Sequence, residues 1–201
     1  MGITVAAAVF LSSLRVRSNP RTHSVLHKTN DSNSVFGFIT VVELPSLGHC
    51  GGLLVVSNIG RPIEFHCTAP VGSNRAQEIM YGRTYQGYLF SDQIGMALVD
   101  KAKKQPTVLV TDCPDMLPIS EQVDTPLILA EDKNVAEPFD GRGLKSFQVE
   151  KQPIYCVNTN ADELDQLNRI VKGFTRVLPL DEPFERIRQA IEEAHKVMRA
   201  A

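Results

Sequence analysis

The chain has 201 residues, 43% hydrophobic and 22% charged, an ordinary globular mix with enough apolar surface for one core. Lys+Arg 21 against Asp+Glu 23 leaves a net charge of -2, so the chain as a whole does not attract a polyanion. Tryptophan is absent and aromatic residues are 6%, which makes stacking platforms scarce, and no nucleic-acid partner is expected on these grounds.

Residues 3–14, ITVAAAVFLSSL, form an apolar run too short to span a bilayer. Arg15 and Arg17 follow this run, whereas the charges of a signal peptide precede its core. No membrane association is expected. Residues 1–34 read as a disordered tail, a targeting segment or sequence upstream of the natural start, and residues 35–201 as a single domain. Cys50, Cys67, Cys113 and Cys156 form no CxxC pair and read as reduced thiols in a cytoplasmic protein.

The β-branched and aromatic run VFGFITVVEL, from Val35, predicts a strand. LPSLGHCGG reads as a connection because of Pro45, Gly48, Gly51 and Gly52. LLVVS and RPIEFHCT then predict a β-hairpin across residues 53–68, turned at Asn58 and Gly60, which tolerate positive φ.

SNRAQEIMYG predicts a short helix with Asn74 as N-cap, Gln77 three residues on and Gly82 at its end. SDQIGMALVDKAKKQ predicts a second helix capped by Ser91, with Ile94, Ala97, Leu98 and Ala102 on its apolar face. PTVLVTD and TPLILAE are short continuous apolar runs, the mark of buried parallel strands. They are joined by a turn or short helix around residues 116–122. Residues 132–151 read as a long loop with a strand at SFQVEK, and PIYCVN predicts another strand. NADELDQLNRIVKGF predicts an amphipathic helix with Leu164, Leu167, Ile170 and Val171 on one face and Gly173 at its end. The last helix starts at Asp181 and carries the stripe Phe184, Ile187, Ile191 and Met198. This order predicts an α/β or α+β fold: a mixed sheet with an antiparallel hairpin region, then alternating helices and strands.

Four groups of residues carry candidate chemistry. On a strand over residues 62–68, Ile63, Phe65 and Cys67 share the core face, and Glu64, His66 and Thr68 share the other. A carboxylate two residues from an imidazole can orient it for general-base work, but a polar stripe on a half-solvated sheet reads the same way. His49, Cys50, His66 and Cys67 are soft metal ligands. Neighbours on a strand point to opposite faces, however, and the metal spacings are missing, so no metal site is assigned. In VTDCPD, Asp112 and Asp115 follow a buried strand, where α/β proteins place ligands. With Glu64 they would suit Mg²⁺, and Cys113 would serve as a nucleophile if its pKa were lowered; ordinary turn and cap chemistry uses the same residues. Arg75, Tyr81, Arg83, Tyr85 and Tyr88 concentrate the residue types of binding surfaces.

No phosphate loop, GxGxxG or nucleophile elbow is present. The leading expectation is therefore a module without catalysis that binds a ligand, a protein partner or its own copy, with cofactor unknown. The alternative is a metal-assisted hydrolase or nuclease-like enzyme with its site near Glu64, His66, Asp112 and Asp115. That alternative needs the polar face of the hairpin strand and the end of TVLVTD to open into one cleft.

Overall fold

The structure is a computed structural model that describes residues 4–6, 34–130, 144–149, 152–157 and 159–200. Its strands form one mixed sheet in the order β1-β4-β3-β2-β5-β6-β8-β7. β2 (Val35–Leu44), β3 (Gly48–Ser57) and β4 (Pro62–Thr68) make an antiparallel meander. β5 (Val108–Thr111) lies parallel to β2, and β6 (Leu127–Ala130) parallel to β5. β7 (Leu144–Val149) and β8 (Gln152–Val157) form a second hairpin, with β8 antiparallel to β6. The α/β architecture expected from the apolar runs is therefore present. Of the residues expected to lie outside the fold, only 4–6 and Ser34 are described, and Thr4–Ala6 forms β1, a parallel edge strand beside β4. Of the expected loop over residues 132–151, residues 132–143, 150 and 151 lie outside the described residues.

Helices cover both faces, and the alternation along β2 shows how. Phe36 and Phe38 point to one core, where they meet Phe174 and Phe184 from α4 (Ala161–Thr175) and α5 (Glu182–Ala200). Val35 and Ile39 point to the other core, formed with Leu89, Phe90, Ile94 and Leu98. α4 begins with a complete capping box: Asn160 Oδ1 accepts from the Glu163 N–H, and Glu163 accepts from the Asn160 N–H. Gly173, expected to end α4, sits inside it, because the helix runs on to Thr175. Met198 of the last stripe lies outside the described side chains.

Residues 48–52 were expected to be a connection and are strand. The glycines there answer to packing, since a Cβ on Gly51 would stand 2.1 Å from Ile94 Cγ2, and one on Gly52 2.3 Å from Ile187 Cγ2. Helices press on this strand from both sides, and only glycine leaves them room. Gly60 does supply the predicted positive φ, at 72°, in the β3–β4 turn.

α1 (Arg75–Tyr81) is capped by Asn74, whose side chain accepts from Ala76 and Gln77 N–H groups. After a 3₁₀ turn at Gly82–Thr84 comes a continuous helical run: α2 (Tyr85–Gly87), a π-helical stretch (Tyr88–Gly95) and α3 (Met96–Val99). Ser91 is not an N-cap. The backbone is already helical at Gly87, and the buried Ser91 hydroxyl donates back to the Gly87 carbonyl at 2.7 Å.

Candidate functional site: a cleft beside the π-helical stretch

A 3₁₀ helix, Pro114–Glu121, leaves the end of β5 and packs against the π-helical stretch. Beside these two elements lies a cleft of about 670 Å³. Its polar lining comes from Arg83, Tyr88, Asp92, Asp115, Glu121 and Gln122, and Leu144 and Val157 close it on the side of the β7–β8 hairpin. π-Helical turns are rare, and they concentrate at functional sites because they re-aim side chains out of helical register. Here the wide turn brings Tyr88, Ser91 and Asp92 to one wall.

Asp92 is held on that wall by the Gln122 amide, and the Ser91 hydroxyl, 2.9 Å away, shares its one proton between Asp92 and the Gly87 carbonyl. Asp115 stands half-buried on the same cleft, and burial holds its carboxyl above the usual carboxylate range. Tyr81 stacks on Tyr88 with ring centroids 4.0 Å apart and planes 14° apart. The Tyr88 hydroxyl accepts from the Gln93 amide, and burial followed by the neighbouring Tyr81 raises its pKa.

The residues singled out from sequence are distributed as follows. Tyr81, Arg83, Tyr88 and Asp115 line the cleft together. Tyr85 turns its hydroxyl to accept the Asn74 N–H at 3.1 Å, and Arg75 is exposed in an i,i+3 pair with Glu78. Glu64 and His66 are elsewhere. They sit on β4, three strands from β5, about 14 Å at ordinary strand spacing. They pair with Val55 and Leu53, which face the core under α3. Asp112 follows Val110 by two residues and so faces α5, where its carboxylate pairs with Arg188. The structure therefore sets Glu64 and His66 on one face of the sheet and Asp112 on the other.

The face of Glu64 and His66 is not open. His66 is buried, and it bonds Glu64 at 3.1 Å. Glu64 also accepts the backbone N–H groups of Lys104 at 2.7 Å and Lys103 at 3.2 Å, just past α3. Burial works against this carboxylate, but the bonds from Lys104, His66 and Lys103 outweigh it and hold its pKa below the ordinary value. On the other face Cys67 is buried as expected, Phe65 is half-buried and Ile63 is 44% exposed.

The soft ligands are also separated. Cys50 and Cys67 point into the core under α4 and α5, and burial raises the Cys50 thiol to about 11. The ring of His49 lies on Phe90 in the other core, with centroids 5.0 Å apart. Burial, with Asp115 beside it, pushes Cys113 up to about 12, so at neutral pH it is a thiol and not a nucleophile. Among the described residues no three His, Cys, Asp or Glu side chains group in a way that would hold a metal ion. A Mg²⁺ ion shared by Glu64, Asp112 and Asp115 does not fit this arrangement, and no step is routed through one.

Asp92, Ser91 and Gln122 were not legible as site residues. Asp92 follows a serine in a pattern that reads as a helix start, and nothing local marks a π-helical turn.

No family model matches the chain, and no curated protein matches it. Solved structures do. Endonuclease V of Ciona intestinalis, in complex with a 23mer DNA containing an inosine followed by a ribo-adenosine, matches 86% of this chain and 94% of its own at 12% identity and a TM-score of 0.50. The fold resembles endonuclease V. Human ENDOV matches 86% of this chain and 90% of its own, at 14% identity and a TM-score of 0.48.

This likeness overturns the leading expectation of a binding module without catalysis and a protein partner, and with it the expectation that no nucleic acid is involved. Both rested on absences. A site assembled from scattered residues leaves no motif, and a net charge of -2 describes the whole surface rather than one cleft. No helix among the described residues is long and apolar enough to cross a membrane.

Proposed function

We propose that this protein is a nuclease-like hydrolase that acts on a nucleic acid in the cleft beside the π-helical stretch. The observation that carries the reading is the fold shared with endonuclease V over nearly the whole of both chains. The cleft supports it with suitable chemistry. Asp115, kept above the ordinary carboxylate range by burial, is placed to exchange a proton with a water or a leaving oxygen. Asp92, held by Gln122, supplies an oriented carboxylate, and Arg83 supplies a cation for a phosphate. The Tyr81–Tyr88 stack offers an aromatic face for a base. All four thiols are free, which suits a reducing cytoplasm.

The test is cleavage of end-labelled single- and double-stranded DNA and RNA, an inosine-containing strand among them, resolved on denaturing gels. Cleavage that disappears in Asp92→Asn and Asp115→Asn, with unchanged circular dichroism, is the expected result. No cleavage of any strand, or cleavage untouched by both changes, would refute the reading.

A further inference from the structure

The cleft does not itself carry the charge that holds a nucleic acid. It sets the carboxylates of Asp92, Asp115 and Glu121 against the guanidinium of Arg83, whereas a phosphate strand is bound by cations that displace its counterions. The neutralising charge has to come from beyond the cleft. Arg75, Arg186, Arg188 and Lys196 are each tied to a carboxylate. Lys101, Lys103 and Lys104, in the turn after α3, are not: they are exposed and make no ion pair among the described residues. Asp100 is the only acid in the stretch DKAKKQ that holds them. The backbone that presents these lysines is fixed along its length. The Lys101 and Ala102 N–H groups donate to the Leu98 and Val99 carbonyls, Glu64 accepts from the Lys103 and Lys104 N–H groups, and the Thr107 N–H donates to the Val35 carbonyl. Glu64 thus engages the backbone and His66, and the ammonium groups stay unneutralised.

We infer that Lys101, Lys103 and Lys104 form a phosphate-backbone anchor for the nucleic acid strand whose reacting part lies in the cleft. The inference rests on the reading of that cleft as a nucleic-acid site. Turn and cleft lie on one face of the sheet, the face of Val55 and Leu98, and the helical run through Tyr88 and Val99 joins them. From Tyr88 to Lys101 the run covers about 20 Å at the helical rise, the length of about six stacked nucleotides of one strand. A strand laid along it meets an aromatic face and carboxylates at one end and ammonium groups at the other. Lysines on flexible stems contact phosphates without reading bases, so this anchor adds affinity and no sequence preference. Arg169, Lys172 and Arg176 are also exposed and spaced along one side of α4, but α4 covers the opposite face of the sheet, away from the cleft.

The experiment is fluorescence anisotropy of a labelled single-stranded DNA of about 20 nucleotides, kept intact as checked on a denaturing gel, in NaCl from about 50 to 200 mM. Wild type is compared with Lys101→Gln, Lys103→Gln and Lys104→Gln combined, and with Arg169→Gln, Lys172→Gln and Arg176→Gln combined as a control of equal charge. The lysine variant is expected to bind at least about tenfold more weakly at the lowest salt, and its slope of log Kd against log salt to fall by about 2, the loss of three phosphate contacts at about 0.7 each. Its Tm stays that of wild type, because Glu64 holds the backbone and not the ammonium groups. The α4 control stays within about twofold of wild type. Equal losses in the two variants, an unchanged slope in the lysine variant, or no binding by the wild type at the lowest salt would overturn the inference. Should the lysine variant melt lower, arginine at the same three positions decides: binding retained supports the anchor, and binding lost overturns it. Cleavage is read separately. Wild-type binding by the lysine variant beside intact cleavage sinks the anchor and leaves the hydrolase reading, whereas lysine-dependent binding without cleavage does the reverse.

Discussion

Replacing Glu64 by Gln tests whether the polar face of β4 is a site or a structural joint. In the structure its side chain is 15% exposed and takes three bonds, from the Lys104 and Lys103 N–H groups and from His66. Hydrogen bonds to a charged group contribute roughly 1.5–3 kcal/mol each. Gln keeps one oxygen and so one of the short backbone bonds. Its NH₂ group then faces a donor where the second oxygen stood, so one charge-assisted bond is lost and another weakened. The expected cost is about 2 kcal/mol, or a fall in Tm of about 4–8 °C for a domain of this size. The sign with pH is fixed as well. The folded pKa of Glu64 is lowered, so its stabilisation is complete above the unfolded carboxylate value and is lost as pH falls through the folded one. The gap between wild type and Glu64→Gln should therefore be full at neutral pH and close in acid. Thermal melts read by circular dichroism across that range measure it. A change under about 1 °C at neutral pH would show that the Lys103–Lys104 joint is not held by this carboxylate.

Asp115→Asn should raise the Tm at neutral pH, because folding disfavours the ionised form of a group whose pKa burial has raised; the gain should vanish as pH falls below the ordinary carboxylate range, as followed by the same melts. Gly60→Val should cost about 1–2 kcal/mol in urea unfolding, since φ is 72° and a Cβ would stand 2.8 Å from Leu178 Cδ2. Phe38→Ala should cost about 3–5 kcal/mol, the usual loss for a fully buried ring, and Phe65→Ala clearly less because Phe65 is only half-buried; equal midpoints in urea would contradict that ranking.

Much of the fold was determined by local chemistry alone. The hairpin of β3 and β4 is written in two apolar runs around a glycine that needs positive φ. The continuous runs of β5 and β6 mark strands buried on both faces, and α4 and α5 show their stripes and polar starts within a few turns. These elements depend on periodicity and on residues a few places apart, so a single chain displays them. What covers each face was decided only in three dimensions. Glycines 51 and 52 look like a loop until Ile94 and Ile187 arrive from distant helices. Glu64 and His66 look solvated until the backbone past α3 folds onto them. Asp112 finds Arg188 76 residues away. The cleft is more distant still from any motif, because Arg83, Asp92, Asp115 and Gln122 meet only through a π-helical turn packed on a 3₁₀ helix. Alternation fixes which side chains share a face; the packing of remote elements decides whether that face is core, joint or cleft.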